Sequence, residues 1–463
     1  MRVVTVEPVA FAYVFALAMV SPLLQQYIYE ELGRSYNFTK GEEELCNNDT
    51  DVDESITRLE NHVQTQATRW FVGLSLSSSL PSVFATFMYG SMSDSTGRKP
   101  VMLVATCGSF LRLLIVSLTV SFGWPFYVVF LGSFVEGLTG SFGTITGSCL
   151  AYIVDITDDS ARTLRLGILE LSLVFAATTS FLFNGIWLKH SGYMPPLWAS
   201  TSLLFIICIY VLYLPESLME KQSFNKFSCL ANAKRIKNFI TAKRGPYVNF
   251  CLALLVVSFL FSVFDYFGNV TVLFTKRHPL CWGSEMIGYY LATKTASAGI
   301  GIVFAFKVLT RCFVESLIVI IGCLSYILSN VIVGFAKTTA TMFISCIPAF
   351  LAVAGPPCIR SIASKMVEKQ DEGALCSVIA VTETIAQLLG SVTLSMLYPV
   401  GLNRFHLPGF VFFVQAGLLL IPIILFSIIY YLTQKNQNIL YSKMSEISSD
   451  TDDTKVPGVQ VST

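Results

Sequence analysis

Gly90-Ser-Met-Ser-Asp94-Ser-Thr-Gly97-Arg98-Lys99 is a charged turn set between two long apolar runs, 70–89 and 101–121. Its glycines permit a tight reversal. The Asp94 carboxylate can sit at the N-terminus of the following helix and pair with Arg98 or Lys99, latching one mouth of a helical hairpin. An ordinary charged turn would have the same composition, so the flanking chain must decide between the two readings.

Outward from this turn the chain is apolar. Of 463 residues, 53% are hydrophobic and only 13% charged, with a mean hydropathy of +0.63. A soluble chain is about 25% charged, which excludes a soluble multidomain protein. The balance of 31 Lys+Arg against 30 Asp+Glu excludes a nucleic-acid binder, which would show a basic surplus. A spanning helix takes about 20 apolar residues. Twelve such stretches are present: 8–28, 70–89, 101–121, 124–153, 166–186, 196–214, 247–273, 286–306, 313–335, 342–359, 374–397 and 409–432. The basic stretch 215–246 divides them six and six. The expected units are therefore a first bundle (1–214), a linker (215–246), a second bundle (247–432) and a polar, disordered tail (433–463).

Charge placement orients the chain. With the N-terminus cytosolic, twenty basic residues fall on the cytosolic side and nine on the other, with Arg112 and Lys294 inside segments. Both termini are then cytosolic. The acidic loop 29–69 lies outside and carries two glycosylation sequons, at Asn37 and Asn48.

No nucleotide-binding loop, zinc-protease motif or paired C-x-x-C occurs, so neither an enzyme nor a cofactor is expected. Twelve spans without an ATP site indicate a secondary transporter. Ionisable residues inside the spans are then the candidate machinery, because each costs at least about 2.5–3.5 kcal/mol on insertion scales. Glu170 in segment five is the candidate proton acceptor; its structural alternative is a partner for Arg162 or Arg165. Lys294 suits either an anionic substrate or a carboxylate such as Asp265. Arg112 and Glu136 occupy adjacent segments and can bind substrate or simply neutralise each other. Glu383 and Arg360 complete the set, though Arg360 also fits an interfacial, snorkelling position. The second-half counterpart of the opening turn, Lys307 to Arg311, lacks an acid. Pro348, Gly355, Pro356 and Pro357 in segment ten, and Gly137, Gly140, Gly143 and Gly147 in segment four, mark helix breaks or close packing. Segment five has no Gly-Pro pair of the kind found in many antiporters, which favours symport.

Of twelve cysteines, only Cys46 and Cys281 fall in outer loops; an oxidising exterior would let them pair across the two halves, the alternative being two free thiols. Tyr441-Ser-Lys-Met444 in the tail is a Y-x-x-Φ peptide of the kind that binds a clathrin adaptor.

Taken together, these features resemble solute carrier family 46 of the major facilitator superfamily. The resemblance rests on Val6-Glu7-Pro8, Pro22-Leu-Leu-Gln-Gln-Tyr27, Ser93-Asp-Ser-Thr-Gly-Arg-Lys-Pro100, Tyr152-Ile-Val-Asp155, Pro279-Leu-Cys-Trp282, Ile287-Gly-Tyr289, Ile359-Arg-Ser-Ile-Ala-Ser-Lys365 and Glu372-Gly-Ala-Leu375. It implies an all-α membrane protein of twelve transmembrane helices in two six-helix bundles, and proton coupling at Glu170. It also implies a gating motif of Gly90, Asp94, Gly97, Arg98, Lys99 and Asp155, a functional Arg360 and an outer Cys46–Cys281 disulfide. Ser141 and Phe264 replace an aspartate and a histidine of the family's folate carriers, which argues against folate. The short N-terminus, Glu383 and the tail tyrosine are most similar to the family's lysosomal members. That likeness implies a lysosomal, multi-pass symporter exporting an amphipathic organic anion (a steroid conjugate, bile acid or muropeptide) to the cytosol, with the proton as coupling ion. The implied partners are that anion, protons, membrane lipid and a clathrin adaptor, and no nucleic acid. The alternatives are a plasma-membrane folate or organic-anion symporter, and a receptor or scaffold that moves nothing.

Overall fold

The computed structural model describes residues 6–38, 46, 54–157, 159–218, 241, 246–264, 270–367 and 372–432. Asn48, Asp265, Tyr441 and Met444 lie outside the described residues, as do most of the linker, the whole 433–463 tail and the side chains of Asp94 and Arg162. Every regular element among the described residues is helical. Eleven helices are long and apolar enough to cross a membrane, and a shorter apolar helix, Val248–Val263, stands where the seventh segment is expected.

In chain order the spans are Glu7–Ser35, Glu54–Thr96, Arg98–Phe122, the pair Val128–Leu138 and Ser141–Ile156, Asp159–Ser191 and Met194–Tyr213. The last six begin with Pro246–Val263 and its short continuation Thr271–Lys276, followed by Ser284–Phe304 and Glu315–Gly334. The tenth comprises Thr339–Ile344 and Gly355–Lys365, the eleventh is Glu372–Asn403, and the twelfth runs over Phe410–Leu432.

One boundary needs correction. The expected outer loop 29–69 is largely helix, because the first span runs on to Ser35 and the second starts at Glu54. Polar composition hid this extension. Arg58 pairs with Glu54 one turn away at 2.8 Å, while Val63 and Ala67 are fully buried, so the segment has an amphipathic face that docks. Asn37 is exposed just past the end of the first span.

The fourth and tenth spans are both broken, the fourth at one of the glycines for which close packing was the expected role and the tenth at one of its prolines. In the fourth, Gly140 (φ +85°) and Ser141 (φ +50°) both adopt left-handed backbone, and a Cβ on Gly140 would stand 2.0 Å from Thr144 Oγ1. The carbonyl of Gly140 accepts from Thr86 Oγ1 at 3.2 Å and that of Glu136 from Thr139 Oγ1 at 2.8 Å, so the break is satisfied by protein groups as a lipid-embedded backbone requires. In the tenth, a 3-10 turn at Pro348–Leu351 separates the two helical pieces, and Ser325 donates to the Pro348 carbonyl.

Among the described residues, the apolar core is continuous between the two halves at one end only. A single cluster runs from Val6 and Ile153 through the first six spans and takes in Val270, Leu273, Trp282, Tyr398 and Phe412 of the last six. A separate cluster, including Leu255, Ile318, Ile359 and Phe426, fills the opposite end of the last six. The end where the halves share a core also carries a disulfide between Cys46 and Cys281. The opposite end holds Arg98, Asp155 and Lys365.

A candidate transport site between the halves

Arg360 in the tenth span joins two carboxylates. Its Nη1 donates to Glu170 Oε1 in the fifth span and its Nη2 to Glu383 Oε2 in the eleventh, both at 3.1 Å. The guanidinium also lies 5.4 Å from the centre of the Phe259 ring, in the seventh span. None of the three charges is sealed off: the side chains of Glu170, Arg360 and Glu383 keep 32%, 28% and 18% of their surface. A planar fork suits this geometry because it can grip two acceptors at once. Glu170 stands five residues from Arg165, or about 7.5 Å along the helix. Arg165 itself is taken by Glu7 at 3.3 Å. The arginine that Glu170 meets among the described residues is the one from the other half of the molecule.

Arg112 and Glu136 do neutralise each other. Arg112 Nη1 lies 2.7 Å from Glu136 Oε2, and the Glu136 side chain is 1% exposed. Ser109 donates to its other oxygen at 3.1 Å, Ser78 approaches at 3.4 Å, and Tyr13 Oη shares a hydrogen bond of 2.9 Å with Ser109. The network ties the first four spans together just before the break at Gly140. Lys294, in the eighth span, has its ammonium 6.0 Å from the Tyr290 ring centre and 5.8 Å from that of Tyr326, an aromatic cradle that stabilises a cation.

The opening stretch is helical up to Thr96 and reverses only at Gly97, a shorter turn than expected, and with the Asp94 side chain outside the described residues the acid that meets Arg98 is Asp155. Arg98 Nε donates to Asp155 Oδ2 at 3.0 Å, Ser217 Oγ donates to the same oxygen at 2.9 Å, and Arg98 Nη1 reaches Ser93 Oγ at 3.0 Å. Glu216, just past the sixth span, accepts from the Arg98 backbone N–H at 2.8 Å and so caps the third span. Sequence reasoning missed this residue, since nothing local connects it to a turn more than a hundred positions earlier. Gly97 is required beside it: its φ is +114°, and a Cβ there would stand 2.3 Å from Glu216 Oε2. Gly90 comes close to the eleventh span, a Cβ on it falling 3.7 Å from Ser377 Oγ.

The second-half counterpart also needs correction. Lys307 to Arg311 is no turn; it lies in a helical continuation of the eighth span, Ala305–Leu309 and Thr310–Cys312. The missing acid is Glu315, at the start of the ninth span, which accepts from Lys365 Nζ at 2.7 Å and Ser361 Oγ at 2.9 Å. The third span starts with the cation and the fourth ends with the anion; in the ninth and tenth the signs are exchanged.

At the disulfide end a second polar set crosses between the halves, and sequence reasoning had not singled it out. Lys276 meets Glu30 at 2.7 Å, Arg277 meets Glu60 at 3.3 Å and Asn61 at 2.6 Å, and Tyr398 donates to Gln64 at 2.7 Å. Lys189 pairs with Glu285. Beneath that pair Gly185 and Gly288 touch backbone to backbone: a Cβ on Gly288 would stand 2.7 Å from the Gly185 Cα.

A spanning helical bundle, broken helices and an arginine bridging two carboxylates between halves define a membrane transporter scaffold. The chain belongs to the Major Facilitator Superfamily, whose model matches residues 8–390. It is 29% identical over 434 residues to the proton-coupled folate transporter of Rattus norvegicus, covering 92% of this chain and 91% of that protein. It is likewise 29% identical over 439 residues to the lysosomal proton-coupled steroid conjugate and bile acid symporter of Gallus gallus, covering 91% and 93%. The crystal structure of a human organic anion transporter shares the fold at a TM-score of 0.64 with 15% identity, covering 91% of this chain and 97% of that one. The protein is thus a multi-pass membrane transporter of this superfamily.

Proposed function

We propose that the protein is a proton-coupled symporter that carries an amphipathic organic anion out of an acidic lumen into the cytosol, both termini being cytosolic. The carrying observation is the Glu170–Arg360 contact at 3.1 Å, the one ion pair among the described residues that ties the halves together away from the disulfide end. Protonating Glu170 removes the charge that Arg360 holds. One side of the guanidinium fork is then free for a solute carboxylate or sulfate, while Glu383 keeps the arginine in place. When the proton leaves toward the cytosol, Glu170 reclaims Arg360 and the solute anion loses its partner. Proton and anion therefore occupy the site together, which is the requirement for symport. Lys294, on its aromatic cradle, is the second cation the solute can meet.

The lysosomal direction and the choice of steroid conjugates, bile acids or muropeptides draw on the likeness to the Gallus gallus symporter. Proteoliposomes given an inward acid gradient and a panel of steroid sulfates, bile acids, muropeptides and folates test this. Uptake of a steroid or bile anion that collapses with the gradient supports the reading; gradient-independent flux, or none, overturns it. A plasma-membrane folate symporter is the second reading, favoured by the equal identity to the Rattus norvegicus folate transporter. Folate uptake in the same panel, with cell-surface residence that ignores loss of Tyr441, would establish it instead.

A further inference from the structure

Lys276 and Arg277 are consecutive cations that close the disulfide end, and neither belongs to the coupling site. Lys276 ends the short helix Thr271–Lys276, and Arg277 is extended (φ −75°, ψ 151°), so the two side chains diverge. Lys276 reaches Glu30 of the first span, and Arg277 reaches Glu60 and Asn61 of the second. Both residues are buried, at 8% and 9% exposure, which is rare for lysine and arginine unless paired. Backbone bonds from Cys281 N to Arg277 O (3.0 Å) and Trp282 N to Thr275 O (2.9 Å) fix the turn, and Cys281 tethers it to Cys46.

The pairing is incomplete. Arg277 spends Nη1 on both Asn61 and Glu60, and its buried Nε has no acceptor among the described residues. A guanidinium holds an oxyanion best side-on, through two parallel N–H groups. Glu60, locked in its own helix and also accepting from the His278 backbone N–H at 3.3 Å, does not provide that grip. A carboxylate or sulfate arriving free in solution can.

We propose that Lys276 and Arg277 are the first docking point for the anionic group of the transported solute, with Glu30 and Glu60 occupying them until it arrives. This rests on the symport reading above and adds to it a site at the mouth. Opening the disulfide end carries Glu30 and Glu60 away with the first two spans and leaves the cations on the seventh. Stripped of partners, two buried cations would be strongly unfavourable; an incoming anion replaces the lost pairs, so opening becomes an exchange of one anion for another. A neutral solute of the same shape gains nothing from the exchange and does not open this end.

The test uses the full chain in proteoliposomes, with Val272→Cys, a buried position in the helix that Lys276 ends, as reporter and estrone sulfate as probe. Labelling by a membrane-impermeant maleimide from the disulfide side, with no gradient, should rise several-fold on adding estrone sulfate, and should not respond to estrone. Glu60→Gln should raise labelling without any probe. Arg277→Gln should remove the estrone sulfate response and raise KM for uptake from the disulfide side about tenfold, as expected for one lost charge-assisted contact, with kcat and the KM from the opposite side little changed. Arg277→Lys should recover part of the loss. Labelling of the Val272→Cys chain that ignores estrone sulfate overturns the proposal, as does an Arg277→Gln KM equal to the parent's. Labelling that responds while no net proton-driven uptake occurs leaves the docking point standing and defeats the symport reading alone.

Discussion

Glu170 and Arg360 meet across the divide between the halves, oxygen to nitrogen at 3.1 Å, while the same guanidinium holds Glu383 on its own half at an equal distance. An arginine placed so is shared between a partner that moves with it and one that does not. Discharging the Glu170 carboxylate therefore alters the contact between halves without dismantling the second half. Among the described residues, the end at which this happens lacks the continuous apolar core and the disulfide that join the halves at the other.

Arg360→Lys tests the need for a fork. Lysine keeps the charge, yet one ammonium cannot span two carboxylates in the same way. Transport of the probe anion should fall to roughly a tenth or less, a change of about 1.4 kcal/mol. Arg360→Gln, which leaves Glu170 and Glu383 facing one another without a cation, should abolish it. Initial uptake rates normalised to surface or liposome content provide the check.

Removing Arg112 should hurt folding rather than coupling. Arg112→Ala strands the 1%-exposed Glu136, and breaking a buried pair on one side costs about 3–5 kcal/mol. Arg112→Ala should therefore lower yield and thermal stability in detergent, whereas the apolar double variant Arg112→Met with Glu136→Leu should recover much of the stability. A double variant as unstable as the single one would contradict this.

Glu216→Ala removes the cap of the third span. A hydrogen bond to a charged acceptor contributes about 1.5–3 kcal/mol, and the loss should appear as a lower unfolding temperature with KM unchanged. Gly97→Ala acts on the same contact, since its Cβ would collide with the Glu216 carboxylate 2.3 Å away. The two effects should be markedly less than additive, and a double-mutant cycle on unfolding temperature measures this.

Gly288→Val should separate the fifth and eighth spans at the disulfide end. Its Cβ would lie 2.7 Å from the Gly185 Cα and from the Phe181 carbonyl, both backbone positions that cannot step aside. Maleimide access from that end should rise while transport stops; unchanged access would contradict the role of this glycine pair in closure.

Hydropathy made the spans legible because a bilayer forces every span into one pattern, and the charge count exposed the layout of the loops. It failed at 54–69, where an amphipathic helical extension reads as polar loop. Each member of the central triad could be named as an ionisable residue in lipid, yet their pairing could not be read. Residues 170, 360 and 383 lie on three helices whose relative rotation is a property of packing. The Arg112–Glu136 pair was accessible because adjacent spans are adjacent in space. Glu216 and Glu315 escaped for different reasons, one sitting far along the chain from its turn, the other standing four residues beyond the stretch in which an acid was sought. Lys276 and Arg277 were visible only as two more outer charges, because burial is invisible in composition.

The most direct test of coupling is uptake by Glu170→Gln in proteoliposomes with the disulfide side at pH 5.5 and the opposite side at pH 7.5. The parent protein should concentrate the anion and lose that ability when a protonophore collapses the gradient. The variant, permanently uncharged at position 170, should still exchange labelled for unlabelled anion but accumulate none against its gradient. Accumulation by Glu170→Gln at the parent's rate, still sensitive to the protonophore, would place the proton on another group and contradict the account.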